Sequence, residues 1–108
     1  MKIITLHTPA HLSQLYLLLQ GKLNPLFHER RQADINFRVE LNGEAIEILQ
    51  PELYEGALFS IAINADELWI TRNEHYVDDV NSLTIESILN DLFSDAAGDL
   101  GTDLVQEG

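Results

Sequence analysis

Three acidic pairs are the residues most able to do chemistry: Glu52 with Glu55, Asp66 with Glu67, and Asp78 with Asp79. Carboxylate oxygens so placed can hold a hard cation, and paired carboxylates can divide general acid and general base work when burial drives their pKa values apart. Neither use is expected here, because the pairs fall in turns and loops where water solvates them and no further ligands converge on them. His7 and His11 have the i, i+4 spacing that joins two imidazoles on one helix face, but Thr8-Pro9 reads as a helix start that leaves His7 outside the helix. His28-Glu29 and Glu74-His75 set imidazole beside carboxylate, yet sequence neighbours project in different directions from either regular backbone. A glycine-rich phosphate loop, G-x-S-x-G, H-E-x-x-H and the calcium-loop pattern are all absent. The residues therefore describe a protein without catalytic residues, metal or cofactor.

Charge is the feature that remains. Eighteen acidic residues stand against six basic ones, a formal net charge of −12. No acidic residue precedes Glu29, and Arg72 is the only basic residue after Arg38, so the acidity belongs to the C-terminal two-thirds. Long-range repulsion opposes direct binding to nucleic acid or to an anionic membrane, and a cationic protein is the partner such a field attracts. Tyr54, Trp69 and Tyr76 lie near the acidic segments and supply the aromatic anchors that interfaces favour, although Trp69 fits a core position equally well. The partner-binding set expected from charge and aromatics is Glu52, Tyr54, Glu55, Asp66, Glu67, Glu74, Tyr76, Asp78 and Asp79.

These residues need a scaffold. With 108 residues and 45% apolar content the chain suits one domain with one core. The absence of cysteine excludes a disulfide framework, a thiolate zinc site and a cysteine nucleophile. The N-terminal apolar run is cut short by Thr8-Pro9, so neither a signal peptide nor a membrane span is expected and the cytoplasm is the expected compartment.

Lys2 to Leu6 predicts a strand, and Thr8-Pro9 an N-cap followed by proline at the first helical position. Leu12, Leu15, Tyr16 and Leu19 recur at helical spacing and Gly21 offers a C-terminal stop, so a helix is predicted over 10–20. Leu17 and Leu18 widen its apolar surface and are expected to be buried. Asn24-Pro25 breaks the pattern, leaving 26–31 as a connector or one irregular turn. Two alternating runs around Asn42-Gly43 predict a hairpin that pairs Val39 with Ile46, Phe37 with Ile48 and Arg38 with Glu47. Residues 57–64 and 68–72, around Ala65-Asp66, predict a second hairpin. Residues 73–81 show no period and read as a surface loop. Ser82 or Thr84 caps a final helix through Ile85, Ile88, Leu89, Leu92 and Phe93. Asp91, Asp95, Asp99 and Asp103 recur every fourth residue, but Gly98 and Gly101 argue against one continuous acidic helix.

The expected fold is α+β: an antiparallel sheet of two hairpins plus an N-terminal strand, covered on one face by two helices. Residues 1–94 form this domain and 95–108 a flexible acidic tail.

In size, acidity, absence of cysteine and α+β pattern the chain resembles bacterial toxin-immunity proteins, including those paired with contact-dependent growth-inhibition toxins. The resemblance lies in the profile of the whole chain, so no family site transfers to particular residues. It implies a cytoplasmic inhibitor, monomeric when free, that binds its cognate toxin one to one. The acidic loops would then occlude the cationic cleft of a nuclease domain. A nucleic-acid mimic directed at a DNA- or RNA-binding protein and an acidic secretion chaperone are the alternatives.

Overall fold

The structure, a computed structural model, describes residues 2–6, 11–65, 67–100 and 102–106; for Thr5, Leu6 and residues 94–106 the description extends to the backbone alone. Six strands form one sheet: β1 (Lys2–Leu6), β2 (Arg38–Asn42), β3 (Ala45–Leu49), β4 (Ala57–Asn64), β5 (Glu67–Arg72) and β6 (Thr102–Gln106), in the order β2-β3-β4-β5-β1-β6. Every neighbouring pair is antiparallel. Two helices, α1 (Leu12–Arg31) and α2 (Val80–Leu100), pack on one face, and the fold is α+β.

The register explains why the helices sit on one face. Val39, Ile48 and Phe59 are consecutive partners across the sheet, as are Ile46, Ile61 and Ile70, and Ile63, Leu68 and Ile4. Alternation places these rows on one side of the sheet. They meet Leu15, Leu19, Leu23 and Phe27 from α1 and Ile85, Ile88, Leu89 and Phe93 from α2, in one continuous core.

α1 differs from its expected extent. It runs through Gly21 and Pro25 to Arg31, with the 26–31 connector as its last turns. The buried stripe Leu15, Leu19, Leu23, Phe27 continues at a spacing of four past both breakers, which lie on the exposed side; tertiary burial outweighs local propensity. Asn24 adds a clamp, accepting from the Phe37 N–H at 2.7 Å and donating to the Phe37 carbonyl at 2.9 Å. The helix ends on Gln32, at φ 52°, whose N–H donates to the His28 carbonyl at 2.8 Å. At its start His11 occupies the N-cap without a side-chain bond, and the expected cap, Thr8-Pro9, lies outside the described residues. Leu18 is half-buried, but Leu17 is 65% exposed rather than buried.

The first hairpin forms two residues out of the expected register. Its turn is Gly43-Glu44, Asn42 pairs with Ala45, and Val39 meets Ile48 instead of Ile46. Gly43 takes φ +67° while Glu44 does not have positive φ, the arrangement of a turn with glycine at its first central position. A shift of two keeps every side chain on its face. It sets Glu40, instead of Arg38, opposite Glu47. Arg38 answers with an ion pair to Glu40 at 3.2 Å, and Asn42 donates to Glu47 at 2.9 Å. The second hairpin has the expected strands.

The last helix begins at Val80, ahead of both expected caps. Ser82 is buried inside it, and the Thr84 hydroxyl donates back to the Val80 carbonyl at 2.8 Å. Within the stretch 95–108 expected as an acidic tail, α2 continues to Leu100 and Thr102–Gln106 pairs with β1 from Leu6↔Thr102 to Lys2↔Gln106. This pairing covers an edge that β1 would otherwise leave open. No helix among the described residues is long and apolar enough to cross a membrane.

Candidate protein-binding surface

Phe59, near the start of β4, pairs with Arg72, the end of β5, so the segments 50–56 and 73–79 leave the same end of the sheet. The first is a tight turn with Pro51 at its second position: the Leu53 and Tyr54 N–H groups donate to the Gln50 carbonyl at 3.0 and 2.8 Å. The Gln50 side chain accepts from the Glu52 N–H at 3.0 Å and donates to the Asn36 carbonyl at 2.5 Å. Gly56, at φ +76°, turns the chain into β4, a conformation that side chains rarely adopt.

The second segment, expected as a plain loop, carries a 3-10 turn at Glu74–Tyr76 capped by the Asn73 side chain, which accepts from the His75 N–H at 2.9 Å. Asn73 also donates through its side-chain amide to the Ala57 carbonyl and through its backbone N–H to the Leu58 carbonyl, each at 2.9 Å. One asparagine thereby fastens the second segment to the start of β4. Asparagine ahead of an acidic residue is a recognisable cap signal; what the sequence hides is the partner strand it reaches.

Between the segments, Tyr54 and Tyr76 meet edge to face with ring centroids 4.9 Å apart. The Tyr76 hydroxyl accepts from the Glu55 N–H at 2.8 Å and donates to the Glu55 carbonyl at 3.1 Å. The Tyr54 hydroxyl donates to Asp79 Oδ1 at 2.8 Å and accepts from the Asn81 side-chain amide at 3.0 Å. Burial, opposed by the Asn81 hydrogen bond and reinforced by the Asp79 carboxylate, raises the Tyr54 pKa above its ordinary 10.0. Both tyrosines, expected as partner anchors, pack against the core and hold the platform together.

Asp79 likewise has a structural task, since its Oδ1 caps α2 by accepting from the Asn81 and Ser82 N–H groups at 2.9 and 3.1 Å. The exposed carboxylates on these two segments are Glu52, Glu55, Glu74 and Asp78. The ion pairs among the described residues join Arg30 to Asp91, Arg38 to Glu40 and Arg72 to Glu86, so none neutralises these four. On either side of the Tyr54–Asp79 bond, Leu53 and Val80 are 54% and 51% exposed.

No family model, curated protein or solved structure matches the chain.

The expected binding set thus divides. Glu52, Tyr54, Glu55, Glu74, Tyr76, Asp78 and Asp79 come together, whereas Glu67 begins β5 at the opposite end, about 17 Å of strand from Arg72. Asp66 lies outside the described residues. Leu53 and Val80 were not expected in the set; a leucine beside Pro51 and a valine beside a helix cap carry no signal that distinguishes exposure from burial. Among the described residues no group of three or more histidine, aspartate or glutamate side chains is placed to hold a metal ion. What this end offers is charge and apolar contact on a fixed backbone.

Proposed function

We propose that the protein is an inhibitor of the immunity type, which neutralises a basic toxin domain with nuclease activity by lodging the 50–56 and 73–79 segments in its cationic cleft. The observation that carries this reading is the set of four exposed carboxylates, Glu52, Glu55, Glu74 and Asp78, held on hydrogen-bonded turns without a neutralising cation among the described residues. Negative charge on a preorganised surface accelerates encounter with a cationic cleft, and Leu53 and Val80 supply apolar contact that slows release. Occlusion requires no catalytic residue in the inhibitor. The complex is one to one and forms in the cytoplasm, where a nuclease toxin would act.

The test is association kinetics with the toxin domain encoded beside this protein's own reading frame. Replacing Glu52, Glu55 and Glu74 with Gln and Asp78 with Asn should slow association by about 10- to 100-fold at low salt, within the range that electrostatic steering covers. An association rate equal to that of the unaltered protein rejects this surface. Displacement by generic duplex nucleic acid from several unrelated basic proteins would favour a nucleic-acid mimic.

A further inference from the structure

The helices cover one face of the sheet, and on the other the register creates a row that a solvated sheet face does not need. Ala45, Ala62, Trp69 and Ile3 are consecutive partners across β3, β4, β5 and β1. All four point away from the helices, because their strand neighbours Ile46, Ile61, Leu68, Ile70 and Ile4 belong to the core cluster and they do not. An antiparallel sheet with one wet face normally alternates apolar in and polar out. Here the outward row is apolar over four strands, no described helix covers it, and Ala45, Ala62 and Trp69 are part-exposed while Ile3 at its end is buried.

The charge around this row is ordered. The row on one side reads Glu40, Glu47, Ser60 and Thr71 and the row on the other Asn64, Glu67 and Thr5, so the charged positions in these bordering rows are carboxylates. Arg38, the cation nearest in register, is paired with Glu40. Glu67 accepts the Trp69 indole N–H at 3.3 Å, so the part-exposed indole needs no further polar partner. An apolar strip between acidic borders is complementary to an apolar strip between basic borders.

We infer that this open face, centred on Trp69, is a second docking surface whose occupant is an amphipathic helix of a partner protein, with an apolar stripe flanked by lysine or arginine. Its dimensions favour a helix over a second copy of the chain. Four strands at about 4.8 Å spacing by about 17 Å of length give on the order of 300 Å², against roughly 800 Å² per partner in a standard interface. A second copy would also bring Glu40 and Glu47 against a like-charged face on a protein of net charge −12. A helix laid along the row covers its roughly 19 Å with about 13 residues. The inference does not depend on the toxin-inhibitor reading, since the face and the carboxylate-bearing turns are separate parts of the surface.

Trp69 is the only tryptophan, so its emission reports this face alone. The probe is a 14-residue leucine–lysine peptide that forms an amphipathic helix, with a lysine-only peptide of equal charge as control. The leucine–lysine helix should shift Trp69 emission to the blue and perturb the amide resonances of Ala45, Ala62 and Trp69. Ala62→Arg, checked for an unchanged fold by its remaining amide spectrum, should weaken binding at least tenfold. The variant with Glu52, Glu55, Glu74 and Asp78 neutralised should still bind. The inference is overturned if Trp69 emission does not change, if the lysine-only peptide acts equally, if the perturbed amides fall on residues 50–56 and 73–79, or if sedimentation shows a dimer that Ala62→Arg dissociates. None of these outcomes bears on association with a nuclease toxin, so the two readings stand or fall separately.

Discussion

The Tyr54 hydroxyl donates to Asp79 Oδ1 at 2.8 Å, and the same oxygen caps α2 through the Asn81 and Ser82 N–H groups. A single carboxylate oxygen therefore ties the 50–56 turn to the start of a core helix. The charged end of the protein keeps its shape through this link.

Removing that oxygen should cost more than a surface carboxylate would. Asp79→Ala is expected to destabilise the fold by about 1–3 kcal/mol, combining a lost helix cap with a lost acceptor for a half-buried hydroxyl. Tyr54→Phe should cost about 1 kcal/mol, and the double variant less than the sum, because the two share a bond. Urea midpoints of the four proteins, at unchanged m-value, measure the coupling. Strict additivity would show that the bond contributes nothing.

The same pair sets an alkaline limit. Below about pH 10 Tyr54 is protonated in both folded and unfolded chains, and its environment adds no pH dependence. As pH rises through 10.0 the unfolded chain releases the phenol proton first, because burial and Asp79 raise the folded pKa. Stability then falls with rising pH until the folded phenol also ionises. Urea midpoints between pH 8 and 11 should decline more steeply for the unaltered protein than for Tyr54→Phe; parallel curves would contradict the raised pKa.

The sequence made the sheet more legible than the site. Period-two alternation located the strands of both hairpins, since Phe59, Ile61 and Ile63 face one side whatever happens elsewhere. It did not determine register at Asn42-Gly43, because two registers differing by two residues bury the same side chains, and only the turn geometry separates them. Gly21 and Pro25 read as breakers because local propensity is all a short window shows; Leu23 and Phe27 override them through contacts with the distant β-strands and α2. The binding set was assembled by charge and aromaticity, and folding sorted it by position. Asp79, Tyr54 and Tyr76 became framework, Glu67 moved to the far end, and Asn73 became the residue that fastens the second turn to the start of β4.

Glycine and alanine positions yield a paired prediction. Gly21 sits inside α1, and a Cβ there meets nothing within 4 Å, so Gly21→Ala should stabilise by about 0.5–1 kcal/mol. Ala65, in the β4–β5 turn, takes φ 57°, a conformation that disfavours any Cβ. Ala65→Gly should therefore also stabilise, by up to about 1 kcal/mol, despite the greater entropy of glycine in the unfolded chain. Thermal melts of both variants decide the matter, and a lower midpoint for Ala65→Gly would mean that chain entropy outweighs the relief of strain.

The opposition of Glu40 and Glu47 should be visible as a response to salt. Like charges directly across neighbouring strands are unfavourable by about 0.2–1 kcal/mol, and Arg38 and Asn42 only partly offset this pair on an exposed face. Added sodium chloride screens such repulsion over a Debye length of about 8 Å at 0.15 M, so the midpoint of thermal unfolding should rise between 0.01 and 0.5 M salt. Glu47→Lys turns the repulsive pair into an attractive one and lowers the net charge from −12 to −10. The variant should be more stable at low salt, and its midpoint should rise less steeply with added salt. If both proteins gain equally from salt, the repulsion is spread over the whole acidic surface and this pair has no special share in it.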